Sequence, residues 1–322
     1  MFTLATMIKS FSILLLAAIF TYSCNSSKPN IPTIGFVDAF EDETIKQAKI
    51  GFFKALLDSG FVADSNLNVI DRNAQGDLPA LSQIVDFFIS KPVDLIASNT
   101  TLSTITAVQK TSTIPICMMV SPSTELAGLR GKDGKDPVNL FGVFETLEYI
   151  DTAFALIKEI FPKTTRVGIL TNPSEPQSVD ALKRIEANAK ILGLTIITKP
   201  ANTSAEVRQA ALALLNEKID VFFAMPDNVI FAAFETIVDV CNQQKVPIAT
   251  SEAGLVKRGA TIGFGADLYA WGYESGMQAA HFLKMGHQHQ PTKLIVRRKM
   301  LNQTQAKKLN LVINKQGFEL VN

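Results

Sequence analysis

The chain has 322 residues, of which 47% are hydrophobic and 19% charged, and its formal charge is +1. That length and apolar content predict two domains with sizeable cores. The near-zero charge excludes the basic footprint of a nucleic-acid binder, and three cysteines are too few for a disulfide framework.

Residues 1–24 carry one charge, Lys9, then an apolar run over 11–20 that Thr21-Tyr22-Ser23-Cys24 closes. The run is short for a membrane span, so a secretory signal is the better reading than an uncleaved anchor, with Met1 or Met7 as the start. A small residue directly before a Cys resembles the bacterial lipoprotein signal, in which Cys24 becomes the lipidated first residue. Thr21 stands where that signal usually has a Leu-like residue. Residues 25–30, NSSKPN, read as a flexible tether.

From residue 31 strands and helices alternate. Residues 33–37 and 67–71 read as strands. Ile45, Ala48, Phe52, Phe53, Leu56 and Leu57 form a helical stripe that Gly60 stops, and a second stripe from Leu78 to Ile89 ends before Pro92. The strand at 93–97, a helix at 102–110 and the strand at 116–120 continue the series. The polar loop 128–136 lacks the spacing of a phosphate loop and reads as a surface turn. A strand at 140–143 leads to a helix marked by Leu147, Ile150, Phe154, Ile157 and Phe161.

A second series opens at Arg166, with helices at 178–192 and 204–216 and a strand at 195–198 between them. Residues 219–228, IDVFFAMPDN, form an apolar strand ending at Pro226, Asp227 and Asn228, and a helical pattern runs from Val229 to Gln243. Strands at 246–250 and 261–264, a helix at 268–285 and late strands at 294–300 and 311–313 complete the chain.

The second series repeats the first. Residues 34–37 match 167–170, Gly60 recurs as Gly193, 93–101 resembles 219–228, and Ile114-Pro115-Ile116 recurs as Val246-Pro247-Ile248. A spacing of about 130 residues fits two similar domains. The predicted fold is therefore α/β, with two similar three-layer lobes, parallel sheets and a ligand cleft between them.

In such sheets ligands meet the carboxyl ends of strands. Asn99 and Thr101 precede or open a helix there and suit a carboxylate, or else merely cap it. Asn172-Pro173-Ser174-Glu175 occupies the matching place in the second lobe. Asp227 is a candidate partner for an ammonium group, or the N-cap of the next helix. Ser251 and Glu252 follow the strand at 246–250. Phe36, Phe40, Tyr269 and Trp271 are candidates for an apolar wall, although such aromatics are more often core.

No Ser-His-Asp or Cys-His set, dinucleotide loop, Walker sequence or HExxH motif is present, so the expectation is binding without catalysis and without a cofactor. His281, His287 and His289 lack ligand-spaced partners and read as a surface cluster, not a metal site. Cys117 and Cys241 read as buried small hydrophobes.

The motifs carry a family resemblance. Residues 171–175 (Thr-Asn-Pro-Ser-Glu) with Ser178, residues 226–228 (Pro-Asp-Asn), residues 250–252 (Thr-Ser-Glu) with Gly254, and residues 256–260 (Val-Lys-Arg-Gly-Ala) are similar in order and spacing to the solute-binding lipoproteins of ABC transporters, in the tryptophan/tyrosine uptake branch. Residues 73–77 (Asn-Ala-Gln-Gly-Asp), Gly265, Asp267, Tyr269, Gly272 and Gly276 also match, and the resemblance runs from about Ile34 to the C-terminus.

It implies a class I periplasmic-binding-protein-like fold with three chain crossings, near 145, 251 and 287, so that lobe 1 is 31–145 plus 252–287 and lobe 2 is 146–251 plus 288–322. It further implies an extracytoplasmic, lipid-anchored monomer on a bacterial membrane, delivering a small zwitterionic solute, an aromatic amino acid first and another small amino acid or zwitterion second, to an ABC permease and its ATPase. Its binding positions carry over as Thr101, Ser174, Ser178, Asp227 and Ser251. The chain departs from the pattern at Glu41-Asp42-Glu43, Leu102, Ser123-Thr124 and Ala253, which leaves a non-amino-acid ligand as the alternative. An intracellular ligand sensor needs a helix-turn-helix before the first strand, and a cleft enzyme needs a catalytic set; the sequence supplies neither.

Overall fold

Two sheets of like connectivity organise the structure, a computed structural model that describes residues 31–40, 42–91, 93–287 and 290–322. The signal region, Cys24 and the tether lie outside the described residues, as does His289.

The first sheet contains β1 (Thr33–Asp38), β2 (Asn68–Asn73), β3 (Leu95–Asn99), β4 (Ile116–Met119), β5 (Leu140–Phe144) and the short β11 (Thr292–Lys293), in the order β2-β1-β3-β4-β5-β11. The second contains β6 (Arg166–Thr171), β7 (Thr195–Pro200), β8 (Val221–Ala224), β9 (Ile248–Glu252), β10 (Ile262–Ala266), β12 (Arg297–Asn302) and β13 (Glu319–Val321), in the order β7-β6-β8-β9-β10-β12-β13. Strand for strand the second order repeats the first. The repeat read at about 130 residues is thus the repeat of the lobe itself.

All neighbours are parallel except β10 and β12, which pair antiparallel. That pair departs from the all-parallel expectation because β12 enters its sheet after a crossing, with no preceding helix to turn it.

The helices follow from local chemistry. In lobe 1, α1 (Lys46–Asp58), α2 (Leu78–Ser90) and α3 (Thr101–Lys110) cover the sheet together with α10 (Leu268–Met285). Asp77 and Asp267 cap α2 and α10 through their side chains. In lobe 2, α4 (Tyr149–Ile160), α5 (Pro176–Leu192), α6 (Val207–Asn216), α7 (Asn228–Ala232), α8 (Phe234–Gln243) and α9 (Ala253–Lys257) do the same, and α11 (Gln303–Lys308) follows β12. Pro176 opens α5, and Gly193, at φ 65°, ends it in the left-handed region. The pattern read as one helix over 229–243 is two, α7 and α8, broken at Ala233.

Phe36, Phe52 and Phe53 pack with ring centroids 5.2–5.6 Å apart in lobe 1, and Phe154 meets Phe223 edge-on at 5.2 Å in lobe 2. Burying each such ring contributes about 1.5–3 kcal/mol. Helices α1 and α10 touch backbone to backbone: a Cβ on Gly272 would stand 1.8 Å from the Ala48 carbonyl oxygen, and one on Gly276 2.4 Å from that of Phe52. Cys117 and Cys241 are buried free thiols. No helix among the described residues is long and apolar enough to cross a membrane.

The crossings differ from those at 251 and 287. Strand β9, helix α9 and strand β10 all belong to the second sheet, so the second crossing falls at Asp267, between β10 and α10. Residues 292–293 still pair with β5 in the first sheet, which moves the third crossing to 294–296. The physical reason is continuity of hydrogen bonding: β9–α9–β10 is a short parallel crossover whose strands pair with each other and, through β9, with β8. The first passage lies between β5 and α4, at residues 145–148.

Candidate functional site

Residues 32–322 form one compact unit, and the two lobes meet around a small cavity of about 30 Å³ at the carboxyl ends of their strands. Lobe 1 contributes Thr101, Val120, Ser121 and, from α10, Leu268 and Trp271. Lobe 2 contributes Tyr149, Gln177, Asp227, Asn228, Phe231 and Glu252. None of the residues lining this cavity is a Lys, Arg or His.

The lobe 1 wall is rich in donors. Helix α3 begins at Thr101, and Thr100 before it makes no side-chain cap. The N–H groups of an uncapped first turn, with the positive end of the helix dipole, favour an anion. Thr100 itself stands at φ 85°, and the cavity-lining Val120 and Leu147 at 51° and 63°. Such backbone in non-glycine residues costs on the order of 1–3 kcal/mol each and persists where packing over-determines it. The hydroxyl of Ser121 is buried without a hydrogen-bond partner.

The lobe 2 wall is acidic. Glu252, the last residue of β9, accepts a 2.6 Å hydrogen bond from the Tyr149 hydroxyl on Oε1, while its Oε2 has no partner. Burial pushes its carboxyl up to about 8. Asp227 accepts from the Val229 and Ile230 N–H groups on Oδ1, at 3.0 and 3.2 Å, and from Asn172 N–H on Oδ2 at 2.8 Å. It is the N-cap of α7 as well as a cavity residue. Glu175 accepts from the backbone and side-chain N–H groups of Asn228 at 3.0 and 2.9 Å. Burial, with the neighbouring Asp227 charge, raises the Glu175 carboxyl well above the usual carboxylate range, and burial raises Asp227 as well.

Behind Glu252 the Tyr149 ring lies under the Arg297 guanidinium at 4.8 Å, and Arg297 pairs with the buried Glu145 in the first crossing. At the edge of the cleft Arg258 of lobe 2 joins the lobes. Its Nη1 donates to Asp42 and, at 2.9 Å, to Thr44 Oγ1 in lobe 1; Nη2 and Nε hold the Phe231 carbonyl and Glu235 at 2.8–2.9 Å. All five guanidinium donors have acceptors.

Of the residues expected at the site, Thr101, Asp227 and Glu252 line the cavity. Ser178 is buried just behind it, accepting from Asn172 N–H at 3.2 Å. Asn99 donates to Asp38 at 2.7 Å, leaving its Oδ1 without a partner. Ser251 is wholly buried with an unpartnered hydroxyl, and Ser174 is exposed in the turn before α5; neither lines the cavity. Of the aromatics, Trp271 forms part of the wall, its indole N–H held by the Val143 carbonyl at 2.7 Å. Phe36 is core, Phe40 lies in outer grooves and Tyr269 stacks on Tyr273 away from the cavity.

The sequence reading passed over Tyr149, Ser121 and Gln177. Gln177 alone had a local signal, since it stands between Glu175 and Ser178 in a motif already singled out.

The three carboxyls predict a pH dependence of the ligand-free protein. Each holds its proton more tightly when folded than in the unfolded chain, so this contribution to stability is fully present below about pH 3.8 and is lost as pH rises toward about 8. Urea unfolding at pH 5 and pH 8 should show a loss on the order of a few kcal/mol, reduced in Glu252→Gln. An identical pH slope in wild type and Glu252→Gln contradicts the assignment to Glu252.

Comparison with known proteins gives a consistent picture. The family described as ABC transporter substrate binding protein matches residues 33–319. A "Tyrosine-binding protein" of Clostridioides difficile (strain R20291) is 34% identical over 251 residues, 78% of this chain and 72% of that protein. The chain is also similar to an ABC domain from Streptococcus pneumonia in complex with L-Trp, at 22% identity and a TM-score of 0.83, covering 90% of this chain and 99% of that one. A ligand-free, open substrate binding protein with adhesive properties from Clostridium difficile is 26% identical with a TM-score of 0.67, covering 91% and 99%.

Proposed function

The chain belongs to the family of ABC transporter substrate binding proteins, and from that premise we propose that it captures an aromatic amino acid between its lobes and delivers it to a membrane permease and its ATPase. Proteins of this family act outside the cytoplasm as the solute-binding component of an importer. The observation that carries the ligand reading is the polarity of the cavity. One wall offers the uncapped start of α3, Thr101 and Ser121; the other offers the carboxyl groups of Glu252 and Asp227 and the amide of Gln177.

A carboxylate suits the first wall and an ammonium the second, and a zwitterion bearing both spans the cleft. Trp271, Phe231, Leu147 and Leu268 leave an apolar face for the side chain. The ligand named for the Clostridioides difficile relative supports an aromatic one. Asn99, Ser174, Ser178 and Ser251 belong in this reading to the layer that holds the wall in place. Because contacts to both walls exist together only when the lobes are closed, the ligand favours closure by its extra contacts there, while Arg258 and Asp42 add a contact independent of the ligand.

A thermal-shift screen against the standard amino acids tests the ligand. Tyrosine, tryptophan or phenylalanine at a hundredfold excess over Kd should stabilise the protein by about 2.7 kcal/mol; no shift with any amino acid contradicts the reading. The proposal includes a lipid anchor at Cys24, motivated by the signal-like run and the small residue before it. On cell fractionation Cys24→Ala should move the protein from the membrane to the soluble extracytoplasmic fraction, and an unchanged distribution removes the anchor from the account.

A further inference from the structure

We propose that Gln177, held in one orientation by Glu175, is a direct acceptor for the ligand's ammonium group and makes the cleft reject otherwise similar acids that lack one. The inference rests on the amino-acid reading above and deepens it.

Asp227 has few free acceptors to give. Its Oδ1 receives two backbone N–H groups at the start of α7, its Oδ2 receives Asn172 N–H, and the Ser178 hydroxyl also bonds to it. A carboxylate has about four lone-pair positions. Those of Asp227 are used within the protein, so it lends charge to the cavity but no open acceptor. Glu252 keeps one oxygen free, Oε2. The other unpartnered buried acceptor lining the cavity from lobe 2, among the described residues, is Gln177 Oε1.

The orientation of that amide is fixed by its neighbour. Gln177 Nε2 donates to Glu175 Oε2. The same oxygen already receives the backbone and side-chain N–H groups of Asn228. An oxygen accepting those bonds has no proton to donate, so the Gln177 amino group must face it and the carbonyl must face away. Pro176, at the first position of α5, fixes the backbone just before Gln177. The outcome is a rigid carbonyl oxygen, desolvated and unpaired, on the same cavity wall as the free oxygen of Glu252. An ammonium carries three N–H donors and satisfies both; a hydroxyl or hydrogen in its place leaves at least one buried acceptor unpaired, at a real cost in affinity.

The test compares L-tyrosine with 3-(4-hydroxyphenyl)propanoate, its analogue without the amino group, by calorimetry on the full-length protein. Wild type should bind L-tyrosine far more tightly than the analogue. In Gln177→Leu the affinity for L-tyrosine should fall about 10- to 100-fold while that for the analogue stays within about threefold or improves. Glu175→Gln, which frees the Gln177 amide to turn over, should move the ratio in the same direction, and the melting temperature of each variant reports folding separately. Equal losses for both ligands, or an unchanged L-tyrosine affinity in Gln177→Leu, overturn the assignment. Wild type that binds the analogue as tightly as L-tyrosine overturns it too, and wild type that binds neither overturns the amino-acid reading beneath it.

Discussion

The cleft is built around an imbalance of charge. Glu175, Asp227 and Glu252 are each buried to within 3% of full enclosure, and no cationic side chain lines the cavity beside them. Burying ionised carboxylates without a counter-charge is costly, and proteins meet the cost by hydrogen bonds or by holding the proton. Here both occur. Backbone N–H groups at the start of α7 stabilise Asp227, Asn228 stabilises Glu175, and Glu252 keeps one oxygen bare with its pKa raised. In the proposed reading the ligand's ammonium group completes this wall.

The chain's own arginines near the cleft are engaged elsewhere. Arg258 is fully used at the edge, tying Asp42 and Thr44 of lobe 1 to Phe231 and Glu235 of lobe 2. Arg297 is used at the crossings, between Glu145 and the Tyr149 ring. Both stand one residue away from the cavity wall: Arg258 holds the carbonyl of Phe231, and Arg297 supports the tyrosine that orients Glu252. Positive charge therefore fixes the walls and the lobe arrangement, and the carboxyl groups of Asp227 and Glu252 line the cavity.

Much of this was legible in the sequence because a repeat is a strong signal. Two alternations of strand and helix, matched at Gly35 and Gly168, where a Cβ would collide with Phe88 and Ile219, carry the same packing demand twice. The strand ending at Pro226-Asp227-Asn228 announced both a buried strand and a helix start. What escaped was non-local. The crossings were misread because β9–α9–β10 is so short that its turn resembles a hinge, and because Thr292-Lys293 is an exposed pair with no apolar pattern. Tyr149 was lost among the helical stripe of α4, and only its hydrogen bond to a residue 103 positions away reveals its place. Gln177 needs Glu175 and Asn228 around it before its free oxygen becomes visible.

The central claim, that a ligand ammonium completes the acidic wall, is tested most directly by counting protons. Titrating the protein with L-tyrosine at pH 7 in two buffers of different ionisation enthalpy gives the protons exchanged on binding. Glu252 holds its proton at that pH in the empty cleft and must lose it to accept a cation, so about one proton should be released per ligand bound. Tight binding with the same heat in both buffers would show that no carboxyl changes state, and the ammonium would have to be held somewhere other than this wall.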